Sequence, residues 1–216
     1  MIKEKLKKIE FLVKYYRKIA SYNPIKYYKK MTRYNPLNIQ WCRVVMDRET
    51  ERIINNLPFA NLNALEISGD KWKSKGFKSY CSKSFPEYDV CSSVLEQKFD
   101  IIIAEQVFEH LLWPYRAGRN VFSQLNRGGY LLITTPFLIK LHNYPVDCTR
   151  WTNTGMSYFL AECGFDLNEI IVDSWGNKEC IVANFDEWMP YNPKKHSLAN
   201  EQDFPLVVWA LAKKKI

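Results

Sequence analysis

The fold is decided by residues 99–137, which read FDIIIAEQVFEHLLWPYRAGRNVFSQLNRGGYLLITTPF. Residues 99–104 form a short apolar run rich in β-branched side chains, which is typical of a parallel strand covered on both faces. A helix that ends at Gly128 is predicted next, and residues 130–135 supply another strand. This alternation of strand and helix predicts an α/β protein with a doubly wound, mostly parallel sheet.

Four polar residues, Glu105, Gln106, Glu109 and His110, directly follow the first of these strands. In open α/β sheets, ligands bind outside the carboxyl ends of the strands. The sequence therefore predicts a binding site at this edge of the sheet.

Further elements are predicted on either side of this block. Thr152 is the expected N-cap of a helix, and Gly164 stands where a C-cap glycine belongs. The other predicted elements are a helix near 40–57, strands at 64–67 and 78–81, a short helix around 71–76, a short element at 90–91, and strands at 167–174 and 206–212, with a looser polar insertion at about 176–204.

Composition indicates one folded domain in a cytoplasmic protein. Of the 216 residues, 47% are hydrophobic and 15% aromatic, which excludes disorder and allows a substantial core. The six cysteines include no C-x-x-C pair, which favours reduced thiols over disulfides. The amino-terminal segment carries charges throughout, unlike a secretory signal, and no apolar run has the length needed to span a bilayer.

The charge is concentrated at the amino terminus. Residues 1–33 hold eleven Lys and Arg against two Glu, a net charge of +9, whereas the whole chain carries +8. We therefore divide the chain into a basic arm, 1–38, and a nearly neutral domain, 39–216. Apolar residues of the arm recur at helical spacing, which predicts an amphipathic helix; they are Ile2, Leu6, Ile9, Val13, Tyr16 and Ala20.

Two interpretations of the arm remain open. The helix either packs on its own domain with a solvated basic face, or attaches the protein to an anionic membrane surface or an acidic partner protein. Nucleic acid is not favoured, because no recognition motif accompanies the charge.

Together with Ala64-Leu65-Glu66-Ile67, the 99–137 block resembles the class I S-adenosylmethionine-dependent methyltransferases. The Glu-Gln-Val-Phe-Glu-His turn looks most like small methyltransferases that include many quinone, natural-product and glycan enzymes. The resemblance covers roughly residues 62–175. It implies a Rossmann-like sheet of seven strands with the last strand antiparallel, and S-adenosyl-L-methionine as the cofactor.

The resemblance also implies cofactor-binding residues after the first strand. Glu66 stands where the family has an acidic residue before a G-x-G-x-G loop, but residues 68–72 read SGDKW, with one glycine that is out of step. We expect Ser68 and Gly69 to make the turn, with the Glu66 carboxylate bonding loop amides. The alternative is a loop that no longer holds the cofactor.

The remaining cofactor residues are assigned in the same way. The family has an acidic residue after the second strand, but residues 82–84 are not acidic. Asp89 resembles the family residue that bonds the adenine amino group, with a plain surface turn as the alternative. Glu105, Gln106 and His110 are assigned to the cofactor side, and a structural histidine capping a helix is the alternative for His110.

Residues 142–152, HNYPVDCTRWT, follow the last parallel strand and resemble segments of methyltransferase-like proteins found with glycan assembly genes. His142 is the candidate general base because an unperturbed imidazole titrates near neutrality. Asp147 is expected to orient His142 or to substitute for it. Arg150 and Trp151 are candidate substrate-binding residues, with a structural role as the alternative.

No metal site is predicted, because we expect the three histidines (His110, His142 and His196) to lie far apart and on different elements. The favoured activity is O-methylation of a saccharide or glycan-linked acceptor. The alternatives are methylation of a small aromatic or quinone-like metabolite, and a non-catalytic methyltransferase-like scaffold.

Overall fold

The computed structural model describes residues 39–143 and 145–216. Its strands are β1 (Asn63–Ile67), β2 (Ser79–Lys83), β3 (Phe99–Glu105), β4 (Leu125–Pro136), β5 (Ile170–Trp175) and β6 (Val207–Lys213). Its α-helices are α1 (Trp41–Asn55), α2 (Pro114–Gln124), α3 (Asn153–Glu162) and α4 (Lys178–Asp186). Short 3-10 turns lie at Phe59–Asn61, Phe108–His110 and Leu167–Glu169.

The strands form one sheet in the order β2-β1-β3-β4-β6-β5. Strands β2, β1, β3 and β4 are parallel, and β6 runs antiparallel between β4 and β5. From β1 the chain goes outward to β2 and then returns to β3 on the other side of β1. The predicted α/β, doubly wound class and the antiparallel last strand are confirmed, and the carboxyl ends of β1 and β3 form the switch point at which such sheets bind ligands.

The sheet of the described residues has six strands, where the resemblance implies seven. The segment predicted as a short element at 90–91 forms a turn instead. The Asp89 carboxylate accepts hydrogen bonds from the Cys91 N–H (2.9 Å) and the Ser92 hydroxyl (2.6 Å), and these bonds bend the chain where a further edge strand would pair.

Three other element boundaries differ from the prediction. Residues 71–74 make consecutive turns rather than a short helix. The predicted helix end at Gly128 is late, since α2 ends at Gln124 and Leu125 already pairs with Phe99. The polar insertion contains helix α4, because the Asn177 side chain caps its first turn.

The core lies on both faces of the sheet, as the apolar run of β3 predicts. Ile102 belongs to the cluster that packs against α2 and α3, whereas Ile101 and Ile103 pack with Ile54 of α1 on the other face. Each such side chain contributes about 1.5–3 kcal/mol by burial. The two predicted caps of α3 are present: the Thr152 hydroxyl accepts the Gly155 N–H, and Gly164 adopts a φ of +116°.

The basic arm lies outside the described residues, so its helix and its attachment stay predictions. Within residues 39–143 and 145–216, no helix combines the length and the apolar character that crossing a membrane requires.

Candidate active site

A cavity of about 880 Å³ opens at the carboxyl ends of β1 and β3. Its walls come from the start of α1 and from the segments that follow the four parallel strands, closed on one side by Trp188. The predicted site residues that line it are Glu66, Ser68, Gly69, Asp89, Glu105, Gln106, His110 and His142.

The loop after β1, residues 68–72, is held by one carboxylate, and we call it the β1 loop. Glu66 accepts hydrogen bonds from the main-chain N–H groups of Lys71 (3.1 Å) and Trp72 (3.0 Å) and from the Tyr80 hydroxyl (2.6 Å). Burial raises the pKa of Glu66, although these donors favour its charged form. A β-carbon at Gly69 would lie 2.4 Å from a Glu66 carboxylate oxygen, so the loop closes this tightly only around glycine.

Two residues of the cavity wall have a left-handed backbone without being glycine. Ser68 follows β1 with a φ of +61°, and Gln106 follows β3 with a φ of +55°. Main-chain hydrogen bonds fix both: the Ser68 N–H donates to the Lys83 carbonyl and the Gln106 N–H to the Thr134 carbonyl, each at 2.9 Å. Strained backbone at two adjacent strand ends is typical of a functional site.

Opposite charges meet beside the β1 loop. The Lys71 ammonium lies 3.0 Å from the Asp47 carboxylate of α1 and 3.0 Å from the Glu105 carboxylate. Arg43, one turn before Asp47, pairs with it at 3.4 Å. Of these four residues, only Glu105 could be assigned from the sequence, since no motif connects α1 to a loop more than twenty residues away.

The position of Asp89 is compatible with both roles predicted for it, the cofactor contact and the turn. Its carboxylate makes the turn at residues 89–92, and the residue also lines the cavity. Residues 84–91 all line the cavity, so the segment after β2 forms part of its wall.

Beyond Gln106, the chain brings together Glu109, His110 and His142, which we call the imidazole cluster. The rings of His110 and His142 meet edge to face, with centroids 4.8 Å apart, and the Trp188 ring lies 5.9 Å from His142 on the other side. The expectation that the histidines are far apart is therefore wrong for this pair. Trp188 was missed because it stands in the polar insertion, where no local pattern marks it.

The environment of the imidazole cluster favours uncharged side chains. Glu109 is fully buried, and burial raises its pKa to about 8. Burial, reinforced by neighbouring His110, lowers the pKa of His142 to about 4, and burial likewise lowers that of His110. Both imidazoles are consequently neutral at physiological pH.

Asp147 is engaged away from the cavity. Both of its oxygens pair with the Arg150 guanidinium, and one also accepts the main-chain N–H of His142 at 2.8 Å. Asp147 therefore orients the segment that carries His142. Among the contacts of the described residues, its carboxylate bonds the main chain of His142 and not the ring. Of the two roles expected for Asp147, orientation is the one that these contacts favour.

The two candidate substrate-binding residues have structural contacts. Trp151 is 5% exposed and packs against Phe159 of α3, with ring centroids 5.0 Å apart. Arg150 is held by Asp147 and the Thr149 carbonyl. Neither is among the described residues that line the cavity, so these contacts favour the structural alternative, and substrate binding by the two residues stays a prediction.

The sequence matches no protein-family model and no curated protein, but solved structures share its fold. An S-adenosylmethionine-dependent methyltransferase from Archaeoglobus fulgidus is 14% identical, with a TM-score of 0.53 over 80% of this chain and 94% of that chain. One from Mesorhizobium loti is 16% identical, with a TM-score of 0.53 over 77% and 97%. The N-methyltransferase NodS from Bradyrhizobium japonicum, in complex with S-adenosyl-L-homocysteine, is 14% identical, with a TM-score of 0.50 over 78% and 86%.

These similarities identify the fold. The chain has the fold of the class I S-adenosylmethionine-dependent methyltransferases, as its sequence predicts, and its cavity lies at the switch point of that fold.

Proposed function

We propose that the protein is an S-adenosylmethionine-dependent methyltransferase that methylates a hydroxyl group of a small acceptor, with a saccharide or glycan-linked acceptor as the leading candidate. The observation that carries the proposal is the arrangement of the cavity. It joins the β1 loop, at the switch point of the fold, to the neutral imidazole cluster.

The donor set beside the β1 loop fits the cofactor. The methionine part of S-adenosylmethionine carries an ammonium and a carboxylate, and Glu105 and Lys71 present a carboxylate and an ammonium side by side. Glu66 fixes the loop amides and Gly69 keeps the backbone close. Asp89 would hold the adenine amino group, and the cavity volume lies within the range of small-molecule sites. The bound cofactor supplies an electrophilic methyl group on a sulfonium.

The acceptor is placed at the imidazole cluster in this proposal. Methyl transfer to a hydroxyl needs alignment of the acceptor and a group that receives its proton. The uncharged His142 imidazole can receive that proton, and Asp147 orients its segment through the main chain. The Trp188 ring beside His142 offers a flat apolar face to a sugar ring.

Each alternative has an observation in its favour. The largely apolar and aromatic wall, including Trp113 and Trp188, suits a small aromatic or quinone-like acceptor as well as a sugar. The Lys71–Glu105 ion pair, in a loop with one glycine, suits a scaffold that has lost the cofactor.

Calorimetric titration with S-adenosylmethionine and S-adenosylhomocysteine tests the proposal. We expect saturable binding of both, and we expect Glu66→Ala to weaken it at least tenfold, about 1.4 kcal/mol, because the loop amides lose a charged acceptor. Glu96→Ala, which removes an exposed carboxylate away from the cavity, is the control and should leave binding unchanged. If the wild type shows no saturable binding at millimolar cofactor, the scaffold alternative replaces the proposal.

We also propose that the basic arm attaches the protein to an anionic membrane surface. The support comes from the sequence: a net charge of +9 over residues 1–33, interspersed with tyrosines suited to an interface. Each Lys or Arg near an anionic bilayer contributes about 1 kcal/mol, and salt screens this attraction.

Co-sedimentation with vesicles tests this second proposal. Full-length protein should bind anionic vesicles, less so as salt rises, and should not bind neutral ones. Protein that lacks residues 1–38 should bind neither. Equal behaviour of the two proteins would favour an arm packed on its own domain.

A further inference from the structure

The imidazole cluster has the composition of a metal site. One ligand atom from each of Glu109, His110 and His142 can be chosen so that all three lie within 4.8 Å of one another. The three residues come from two segments 32 positions apart, so the fold, rather than local sequence, assembles them. The case for a metal site rests on the burial and the hydrogen-bond partners of these side chains.

Glu109 is the first independent observation. Its side chain is fully buried, and neither carboxylate oxygen has a hydrogen-bond donor among the described residues. A buried carboxylate without a donor costs several kcal/mol, and proteins generally pair such a group or let it coordinate a metal. The His110 ring lies beside this carboxylate, with its Nε2 3.5 Å from a Glu109 oxygen.

His110 is the second observation. Its Nδ1 lies 2.5 Å from the Val146 carbonyl oxygen, which can only accept a hydrogen bond. Nδ1 therefore carries the ring proton, and in the neutral ring Nε2 presents its lone pair on the side of Glu109. A metal-ligating histidine usually donates the N–H of its other ring nitrogen to a carboxylate, a backbone carbonyl or water, as His110 Nδ1 donates here to the Val146 carbonyl.

We propose that Glu109, His110 and His142 bind one divalent transition-metal ion. Two imidazoles and a carboxylate suit Zn²⁺, Mn²⁺, Fe²⁺ or Co²⁺ better than Mg²⁺ or Ca²⁺. Two ligand atoms bound to one tetrahedral ion lie about 3.4 Å apart, whereas the ligand atoms here lie within 4.8 Å of one another. His142 must therefore move about 1 Å closer to the other two residues to bind the same ion. Residues 137–143 form neither helix nor strand, which allows this adjustment.

Metal binding can be proposed independently of the proposed function. A catalytic role for the ion, in contrast, rests on the proposed methyl transfer. His110 and His142 line the cavity, so the open coordination positions face the acceptor. An acceptor hydroxyl bound there would release its proton to solvent water. Its oxygen would then bond to the methyl carbon as the methyl–sulfur bond breaks, and the electron pair of that bond would stay on the sulfur of S-adenosylhomocysteine. His142 then acts as a ligand instead of receiving the proton itself.

The test measures metal binding without cofactor or acceptor, so that its failure is separate from failure of methyl transfer. Chelator-treated full-length protein is titrated with Mn²⁺ and with Zn²⁺ in the calorimeter. The parent protein in this test is Cys148→Ser, and all variants carry the same substitution, because the exposed Cys148 thiol lies near the His110 carbonyl and would itself bind Zn²⁺. Thermal unfolding confirms that each variant is folded.

We expect one saturable site in the parent protein, weakened at least tenfold by Glu109→Gln and by His142→Gln. His196→Gln is the matched control, since His196 stacks on Trp41 away from the cluster, and it should bind as the parent does. Absence of saturable binding at millimolar Mn²⁺ and Zn²⁺ would overturn the proposal. So would equal affinity in the parent and the Glu109→Gln variant, and Glu109 would then be a protonated partner of His110.

Discussion

The two ends of the cavity differ in how completely their polar groups are satisfied. At the β1 loop, Glu66 accepts three hydrogen bonds and Glu105 pairs with Lys71. In the imidazole cluster, Glu109 has no hydrogen-bond donor among the described residues, and His142 is held neutral by burial. One end is therefore organised by the chain itself, whereas the other end gains its missing partner only when a proton, an ion or a substrate arrives.

This comparison predicts that substitutions at the two ends affect different quantities. A change at His142 in the imidazole cluster should alter turnover and leave cofactor affinity intact, since His142 is assigned to the acceptor. Changes in the β1 loop should alter cofactor affinity. A variant that moved both quantities equally would break the distinction.

The largest effect is expected for His142→Gln. Loss of the group that handles the acceptor proton, directly or through a bound ion, should lower kcat roughly a hundredfold or more. The dissociation constant for S-adenosylhomocysteine should stay within about twofold of the parent. His196→Gln controls for the loss of a histidine elsewhere. Full activity of His142→Gln would remove the imidazole cluster from the mechanism.

Asp147→Asn should have a smaller effect in the same assay. It keeps an oxygen for the His142 main-chain N–H but loses the charged pairing with Arg150, so turnover should fall less than in His142→Gln. A loss equal to that of His142→Gln would return Asp147 to the role of base.

Gly69→Ala should weaken cofactor binding about tenfold or more with little change in kcat at saturating cofactor. The added β-carbon would lie 2.4 Å from the Glu66 carboxylate, so the carboxylate must withdraw from the Lys71 and Trp72 amides. Titration with S-adenosylhomocysteine measures the effect. Unchanged affinity would mean that this loop does not contact the cofactor.

The sequence alone predicted the sheet because each strand is a local signal. The run Ile101–Ala104 and the caps at Thr152 and Gly164 need only their neighbours to be recognised. The antiparallel last strand came from the family resemblance, and it too is present. The missing edge strand could not be foreseen, since it depends on one carboxylate, Asp89, closing a turn.

The sequence predicted those site residues that lie at the carboxyl ends of parallel strands. Glu66 and Glu105 lie at the carboxyl ends of β1 and β3, and parallel register brings those ends together. The burial of Trp151 could not be predicted, because a polar, aromatic segment gives no sign of which of its side chains pack into the core. Lys71 and Trp188 reach the cavity through contacts between distant segments, which a single sequence does not reveal.

The smallest expected effect, on stability, concerns the strained backbone of the β1 loop. Ser68 holds a φ of +61°, a conformation that costs a side-chain-bearing residue about 1–2 kcal/mol. Ser68→Gly removes this cost. Glycine, however, loses more conformational entropy on folding, which lowers the free energy of unfolding by about 0.5–1 kcal/mol. The net gain of up to about 1 kcal/mol should raise Tm by about 2–4 °C, as measured by thermal unfolding.

Ser68→Ala is the matched control for that measurement, because it removes the same hydroxyl but keeps the strained φ. It should give no rise in Tm. A lower Tm in Ser68→Gly than in Ser68→Ala would mean that the loop is not strained in the unliganded protein. Since Glu66 and the Lys83 carbonyl hold the turn by hydrogen bonds to main-chain groups, either replacement leaves that framework in place. The comparison therefore isolates the contribution of the left-handed backbone conformation of residue 68 to the free energy of unfolding.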